Sequence, residues 1–307
     1  MNKVIRIFEE LRQIYEDLND TYRVRAYTNA IESLKNGTTE GIGKKLLSKI
    51  EIIKKTGKLD ELIEMRKYVR LMKLPGFGKS FINKLIDNGI KPEPQIILKS
   101  QKKLAEKGII LNRTQLIGLE NYKELIKEKK IKREIITDIT HDLENHLMNL
   151  GIILEKFVVV GSYRRGVKES RDIDILVVTD DNMSTEVMKS IYNAMKQYKY
   201  YVTHLVLGST KFTFLLKYKR AIIQVDIRVI PHESYPTALL YFTGSKLFNV
   251  QMRHLAKIKG YILNEYELKK IPSKRIEVHS EADIFNELGL EYIPPEKRNN
   301  LTIAQKA

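Results

Sequence analysis

Cysteine is absent from all 307 residues, so this chain can form neither a disulfide nor a thiolate metal site. That fits a reducing compartment. No apolar run approaches the ~18–20 residues that a membrane helix needs. The stretch from Met1 to Glu10 reads as charged helix rather than as a secretory signal. Long low-complexity segments are missing too. A hydrophobic fraction of 43% and a charged fraction of 30% describe an ordinary folded protein. The length suits two or more domains rather than one small core.

Acidic charge is in short supply in the first part of the chain. The formal net charge is +16 with a pI near 9.6. Residues 1–132 hold 29 Lys and Arg against 17 Asp and Glu, a net of +12; the other 175 residues hold 25 against 21, a net of +4. A basic balance of this size points to a polyanionic partner. The basic part reads as a nucleic-acid grip, and the nearly neutral part has room for an acidic site.

Residues 1–132 read as helices. Apolar residues recur at helical spacing through Val4-Ile5-Phe8-Leu11-Ile14-Tyr15 and through Leu46-Leu47-Ile50-Ile53. Glycine and proline punctuate them at 41–43, 57, 75–78, 89, 92 and 94. The two glycine hairpins, 41–43 and 76–78, are the only internal repeat. A helix is expected from Arg133 to Asn149, and then the texture changes. Residues 157–160 predict a short buried strand and residues 173–178 another. Residues 211–218 and 221–230 predict a strand pair rich in β-branched and aromatic residues. Helices return over residues 239–259, and the polar stretch from Leu290 onward is expected to fray. Strands after helices argue for separate domains or an α+β class.

The strongest signal is Gly161-Ser162-Tyr163-Arg164-Arg165-Gly166 followed by Asp172-Ile173-Asp174. Alternate side chains of a strand share a face, so Asp172 and Asp174 point one way while Ile173 and Ile175 point to the core. Adjacent carboxylates on one face repel and are stable together when a cation sits between them. Few, hard oxygen ligands favour Mg²⁺. Asp226 lies in an alternating strand, Gln224-Val225-Asp226-Ile227-Arg228, and can face the pair from a neighbouring strand. Three aspartates on a sheet can hold two metals ~3.5–4 Å apart, one activating a hydroxyl and one holding a triphosphate. Asp226 would touch the first metal and can take the hydroxyl proton. Gly161-Ser162, placed after a strand, turns the chain sharply into a helix and frees N–H groups for a phosphate. Ser162 adds a donor, and Arg165 can clamp phosphate oxygens in a planar fork.

This pattern resembles the nucleotidyltransferase palm of family X DNA polymerases of the polymerase beta type. Tyr241-Phe242-Thr243-Gly244-Ser245-Lys246-Leu247-Phe248-Asn249 with Met252-Arg253 is similar to their thumb. Asn264-Glu265-Tyr266, Asp283-Ile284-Phe285, Gln115-Leu116-Ile117-Gly118-Leu119 and Tyr22-Arg23-Val24-Arg25-Ala26-Tyr27 continue the match, which runs from about residue 5 to 295. The extra domains of larger relatives are not expected here. The implied fold is multidomain α and α+β: all-α helix-hairpin-helix domains, a palm with a mixed sheet, and a small α+β nucleotide-binding subdomain. The implied segments are a lyase-like domain (1–60), a duplex-DNA-binding subdomain (61–132), the palm (133–233) and a nucleotide-selecting subdomain (234–307).

The resemblance also implies roles. Gly161, Ser162 and Arg165 would hold the triphosphate. Tyr241 and Phe242 would pack against the deoxyribose and discourage a 2′-hydroxyl, and Gly244 would belong to the same nucleotide site. Asn249 would contact the base, while Arg253 and Arg228 would meet DNA. Two positions depart from the family. Arg171 stands where close relatives have a glycine that meets phosphate, and a side chain there either crowds the triphosphate or adds charge to it. Lys246 replaces an acidic residue beside the base. The loops Gly41-Ile42-Gly43-Lys44 and Gly76-Phe77-Gly78-Lys79 look like helix-hairpin-helix loops. Their glycines admit a DNA phosphate, and in this family a monovalent cation often joins them. Lys49 matches the lysine that forms a Schiff base with a 5′-deoxyribose phosphate, and Lys45, one turn earlier, would hold the phosphate. The loop before Gly41 is shorter than in polymerase beta, and the family's other 5′-phosphate contacts find no match here.

The expected activity is gap-filling DNA synthesis on gapped or nicked duplex DNA from dNTPs. The expected cofactors are two Mg²⁺ ions, with Mn²⁺ able to substitute. The chain is expected to be monomeric, intracellular and not secreted, acting in a nucleus or, if viral, in host cytoplasm or virion. No second carboxylate cluster for proofreading is visible. The rivals are a template-independent terminal transferase, a catalytically silent DNA-end-binding module and a tRNA-tailing nucleotidyltransferase.

Overall fold

The computed structural model describes residues 2–126, 130–180, 183–219, 221–272 and 274–299. The chain divides into two compact units, residues 1–126 and 127–307. The first is helical among its described residues. Helix α1 (Asn2–Asp17) buries Val4, Ile7, Phe8, Leu11, Ile14 and Tyr15 as one stripe. Asp20 caps α2 (Thr21–Lys35) by accepting from the Arg23 N–H. Helix α3 (Lys44–Thr56) begins at Gly43 and stops at Gly57, which takes the left-handed conformation. Helices α4 (Asp60–Met72) and α5 (Lys79–Asp87) follow. The unit ends with the short α6 (Pro94–Lys99), α7 (Gln101–Glu106), α8 (Arg113–Glu120) and α9 (Tyr122–Ile126). Its buried apolar residues gather in two clusters, one drawn from residues 4–62 and the other from residues 68–119.

The second unit is built on a mixed sheet. Strand β1 (Ile131–Lys132) leads into α10 (Arg133–Asn149), then β2 (Lys156–Val159), α11 (Gly161–Arg164), β3 (Glu169–Ser170) and β4 (Asp172–Thr179). Helix α12 (Ser184–Met195) precedes β5 (Tyr201–Leu207), β6 (Lys211–Tyr218) and β7 (Ala221–Pro231). The five-stranded sheet runs β2-β4-β7-β6-β5, with β4 and β7 parallel and the other pairs antiparallel. Ile173, Ile175 and Val177 of β4 and Val225, Ile227 and Val229 of β7 turn to one face. There they bury against Ile136, Ile139 and Leu143 of α10 and Met188 and Ile191 of α12. On the other face Leu176, Val178 and Ile230 pack with Ala238 of α13 (Tyr235–Thr243). Asp172 and Asp174 share that second face but lie beyond its apolar patch.

The chain continues through α14 (Lys246–Ile258), a three-stranded antiparallel sheet of β8 (Tyr261–Leu263), β9 (Leu268–Lys270) and β10 (Lys274–Ile276), α15 (Glu281–Glu287), and a 3-10 turn (Pro295–Arg298). These elements have their own apolar core, around Phe248, Met252, Ile284 and Phe285. The α and α+β class expected from the sequence is the one observed. No helix among the described residues is long and apolar enough to cross a membrane.

Three points differ from expectation. The strand placed at 157–160 runs over Lys156–Val159 and is half-buried, because it forms the edge of the sheet. Helix α12 and edge strand β5 were not foreseen. The helices expected over 239–259 are α13 and α14, parted where Gly244 takes φ +67°. Finally, the stretch from Leu290 does not fray through residue 299. The Arg298 side chain is fully buried, bonded to Glu281 and surrounded by the rings of Phe248, Phe285 and Tyr292. Residues 300–307, the rest of that stretch, lie outside the described residues.

Candidate active site

The parallel pairing of β4 and β7 sets Asp174 directly beside Asp226 and Asp172 beside Gln224. All three carboxylates converge, with one oxygen of each within 4.8 Å of the others. Their electrostatics follow from that closeness. Burial, then the charges of Asp172 and Asp226, push the Asp174 carboxyl up to about 7, against a lesser opposing pull from Arg165. Burial and then Asp226 raise Asp172 as well. Hard oxygen donors that repel one another are what a divalent cation relieves, so the donor set fits a metal ion.

Asp226 is held from both sides, which sequence reasoning missed. Thr213, opposite it on β6, donates to Oδ1 at 2.5 Å, and Gln224 donates to Oδ2 at 2.7 Å. The signal was available in part: Gln224 and Asp226 share a strand face. The partnership with Thr213 needed the register of β6 on β7.

The Gly161-Ser162 turn follows β2 as expected. Gly161 sits at φ +58°, and a Cβ there would lie 1.9 Å from the Asp174 Oδ2. Only glycine therefore fits. Ser162 donates to the Ser170 hydroxyl at 2.7 Å. Arg165 donates through Nη1 to the Thr243 carbonyl at 2.5 Å and through Nε to Asn299 Oδ1 at 2.7 Å. Burial lowers its pKa from the ordinary guanidinium value, while Asp174 and Asp172 oppose that shift.

An open cavity of about 360 Å³ lies against the triad. Gly161, Ser162, Arg165, Asp172, Asp174, Tyr241, Phe242, Gly244, Lys246, Asn249 and Arg253 line it. Of the residues assigned to the nucleotide, Arg171 alone is not brought there. It is exposed, between β3 and β4. Asn249 donates to the Tyr241 carbonyl at 2.6 Å, tying α14 to α13. The Arg253 guanidinium stands 6.0 Å from the Tyr241 ring centre, and that of Arg228 5.5 Å from Phe242. Ser245 caps α14 by accepting from the Phe248 N–H, so Lys246 opens that helix.

In the helical unit, Gly41 and Gly76 take φ +76° and +80°, and Gly43 and Gly78 start α3 and α5 in extended conformation. The two hairpins thus share one backbone shape, and Lys44 and Lys79 behind them are exposed. Lys45 is exposed too. Lys49 is half-buried, and its ammonium pairs with the Glu61 carboxylate and donates to the Tyr27 hydroxyl at 2.9 Å. Tyr15 donates to the other Glu61 oxygen at 2.7 Å. The sequence reading gave Lys49 a cationic neighbour; its partner is an anion on the next helix, brought in by packing.

A mixed sheet that gathers three aspartates beside a Gly-Ser turn defines the class, a nucleotidyltransferase palm. Residues 125–232 match the model of the DNA polymerase beta palm, and residues 238–299 match that of the DNA polymerase beta thumb. The chain belongs to family X of the DNA polymerases. It is 28% identical to the DNA polymerase/3'-5' exonuclease PolX of Bacillus subtilis over 97% of this chain and 54% of that protein. It is 26% identical to rat DNA polymerase lambda over 95% of this chain and 55% of that protein. It is 28% identical to the repair DNA polymerase X of African swine fever virus over 57% of this chain and 98% of the viral protein. The chain thus spans about half the length of the first two relatives.

Two outcomes are expected. Gly161→Ala should destabilise the protein by roughly 1–3 kcal/mol in urea titration, because the new methyl must displace the Asp174 carboxylate. Asp174→Asn should raise the thermal stability of the metal-free protein at pH 8 by roughly 1–3 kcal/mol. That gain should shrink towards pH 6, where Asp174 in the wild type takes up a proton and the repulsion fades. Melting curves with and without Mg²⁺ check both parts, and the variant should lose the added stability that Mg²⁺ gives the wild type.

Proposed function

We propose that this chain is a DNA-directed DNA polymerase that fills short gaps during repair of the base-excision type. One observation carries the reading: Asp172, Asp174 and Asp226 converge beside a cavity lined by the residues assigned to a nucleotide. Two divalent cations, Mg²⁺ or in its place Mn²⁺, would when bound lower the pKa of a primer 3′-hydroxyl and neutralise the triphosphate. The chain's own residues do the positioning. Asp172 and Asp174 would take both ions, and Asp226, aimed by Thr213 and Gln224, would complete the ion nearest the primer. Gly161, Ser162 and Arg165 would hold the triphosphate. Tyr241 and Phe242 would wall the sugar, and Asn249 would reach the base edge. The partner would be gapped or nicked duplex DNA, bound through Arg228, Arg253 and the two glycine hairpins. A monovalent cation would sit at each hairpin, and the protein would act as a monomer. The four segments 1–60, 61–132, 133–233 and 234–307 would divide these tasks.

A second activity has its own support. The geometry at Lys49, half-buried yet in contact with a carboxylate and a phenol, suits an amine that attacks a sugar aldehyde and exchanges protons with its neighbours. We infer a 5′-deoxyribose-phosphate lyase there, with Lys45 holding the phosphate.

Primer extension on one-nucleotide-gapped DNA, with and without a 5′-phosphate, tests both readings. Asp226→Ala should reduce synthesis by at least about a thousandfold and leave sugar-phosphate removal intact. Lys49→Ala should do the reverse, and borohydride should trap the wild type but not this variant on 5′-deoxyribose-phosphate DNA. Extension of single strands without template would instead favour a terminal transferase, and a wild type that binds ends without extending them would favour a silent binding module. Arg171→Gly and Lys246→Asp should shift the KM for dNTP and the misinsertion ratio; unchanged values would remove those two residues from nucleotide selection.

A further inference from the structure

The 3-10 turn Pro295–Arg298 and the residue after it lie along the phosphate-gripping motif. Glu296 lies close enough to Gly166 that a Cβ there would come within 3.3 Å of its Cγ. Ser245, which caps α14, donates to the Arg298 carbonyl at 2.8 Å. Asn299 accepts from the Arg165 Nε and donates to the Arg165 carbonyl at 3.4 Å. The turn is bolted down by Arg298, whose side chain is fully buried. Its Nη1 meets Glu281 Oε1 at 2.7 Å and its Nε donates to the Ile293 carbonyl at 2.8 Å. Glu281 in turn takes both guanidinium ends of Arg164, at 3.0 and 2.8 Å. The last residue of the turn is thus tied to Arg164 through Glu281, and the residue after it is tied to Arg165.

A guanidinium carries five N–H donors in one plane. At Arg165 one Nη1 donor is spent on the Thr243 carbonyl and Nε on Asn299. No described residue accepts from Nη2. Two fixed bonds on different nitrogens remove rotation about the last side-chain torsions, so the free edge keeps one direction in the cavity it shares with Asp172 and Asp174. Ordering that edge in advance spares the nucleotide the entropy of ordering it.

We propose that Asn299 is a positioning residue for the triphosphate. It touches no reacting atom and acts by holding Arg165 in the plane that a triphosphate meets. This rests on the polymerase reading above. It assigns a role in nucleotide affinity to the turn at 295–299, which lies far along the chain from the Gly-Ser motif.

The test measures kcat and the KM for dNTP on gapped DNA with the full chain. Asn299→Ala should raise KM roughly fivefold to tenfold with kcat changed less than about twofold. In an Arg165→Ala background the same substitution should add no further rise, because its effect runs through that side chain. An unchanged KM, an equal rise in the Arg165→Ala background, or a loss confined to kcat and melting temperature would overturn the proposal. A fall in KM would overturn it too, making Asn299 a competitor for the clamp. If the wild type extends no primer, the polymerase reading fails separately, and calorimetry of a dNTP with Mg²⁺ still reads the clamp. Weaker binding by Asn299→Ala would then uphold the positioning role, and equal binding would end it.

Discussion

Like charge forced together is the constraint around which the second unit is arranged. Three carboxylates from two parallel strands stand within 4.8 Å of one another, and burial makes Asp172 and Asp174 harder to ionise. A fold built for stability alone would not collect them. The sheet tolerates the arrangement because its other face supplies the cohesion. Ile173, Ile175, Val225 and Ile227 alternate with the aspartates and bury completely against two helices. Each such side chain contributes roughly 1.5–3 kcal/mol relative to exposure. The same alternation that aims the acids outward thus anchors the strands that carry them.

A second electrostatic knot balances the first. Burial alone would raise the Glu281 carboxyl, but the guanidinium groups of Arg164 and Arg298 hold it below its ordinary range. Arg298 lies wholly inside, among three aromatic rings. A buried network of this kind adds little net stability over an apolar replacement, yet it tolerates only one geometry. That geometry joins the Gly-Ser motif, α15 and the turn at 295–299 along one side of the cavity. The two neighbouring arginines therefore have separate duties. Both nitrogens at the end of Arg164 are spent on Glu281, while Nη2 of Arg165 meets no acceptor among the described residues.

In the helical unit the positions that matter combine backbone freedom with packing. Gly41 and Gly76 adopt positive φ with little steric cost, so two unrelated helix pairs reach the same hairpin shape. Lys49 is different. Its environment comes from Tyr27 on α2 and Glu61 on α4, two helices that meet α3 through their apolar stripes. A lysine on a solvated face would keep an ordinary ammonium shell of water; this one exchanges part of it for a carboxylate and a phenol.

Much of this was legible in the chain itself. Strict alternation over 172–175 and 224–229 settled which side chains share a face, because strand periodicity is a property of the backbone. The aspartate triad, the glycine turn and nearly all the cavity's lining follow from such local rules together with the resemblance they evoke. Partnerships across distant parts of the chain did not follow. Thr213 opposite Asp226 depended on the register of β6, Glu61 at Lys49 on the crossing of two helices, and Asn299 at Arg165 on the burial of Arg298. The polar stretch after Leu290 looked like a loose end because polarity in sequence gives no sign of a buried partner. Periodicity is written residue by residue, whereas these contacts depend on how separate elements pack, and only the tertiary structure decides that.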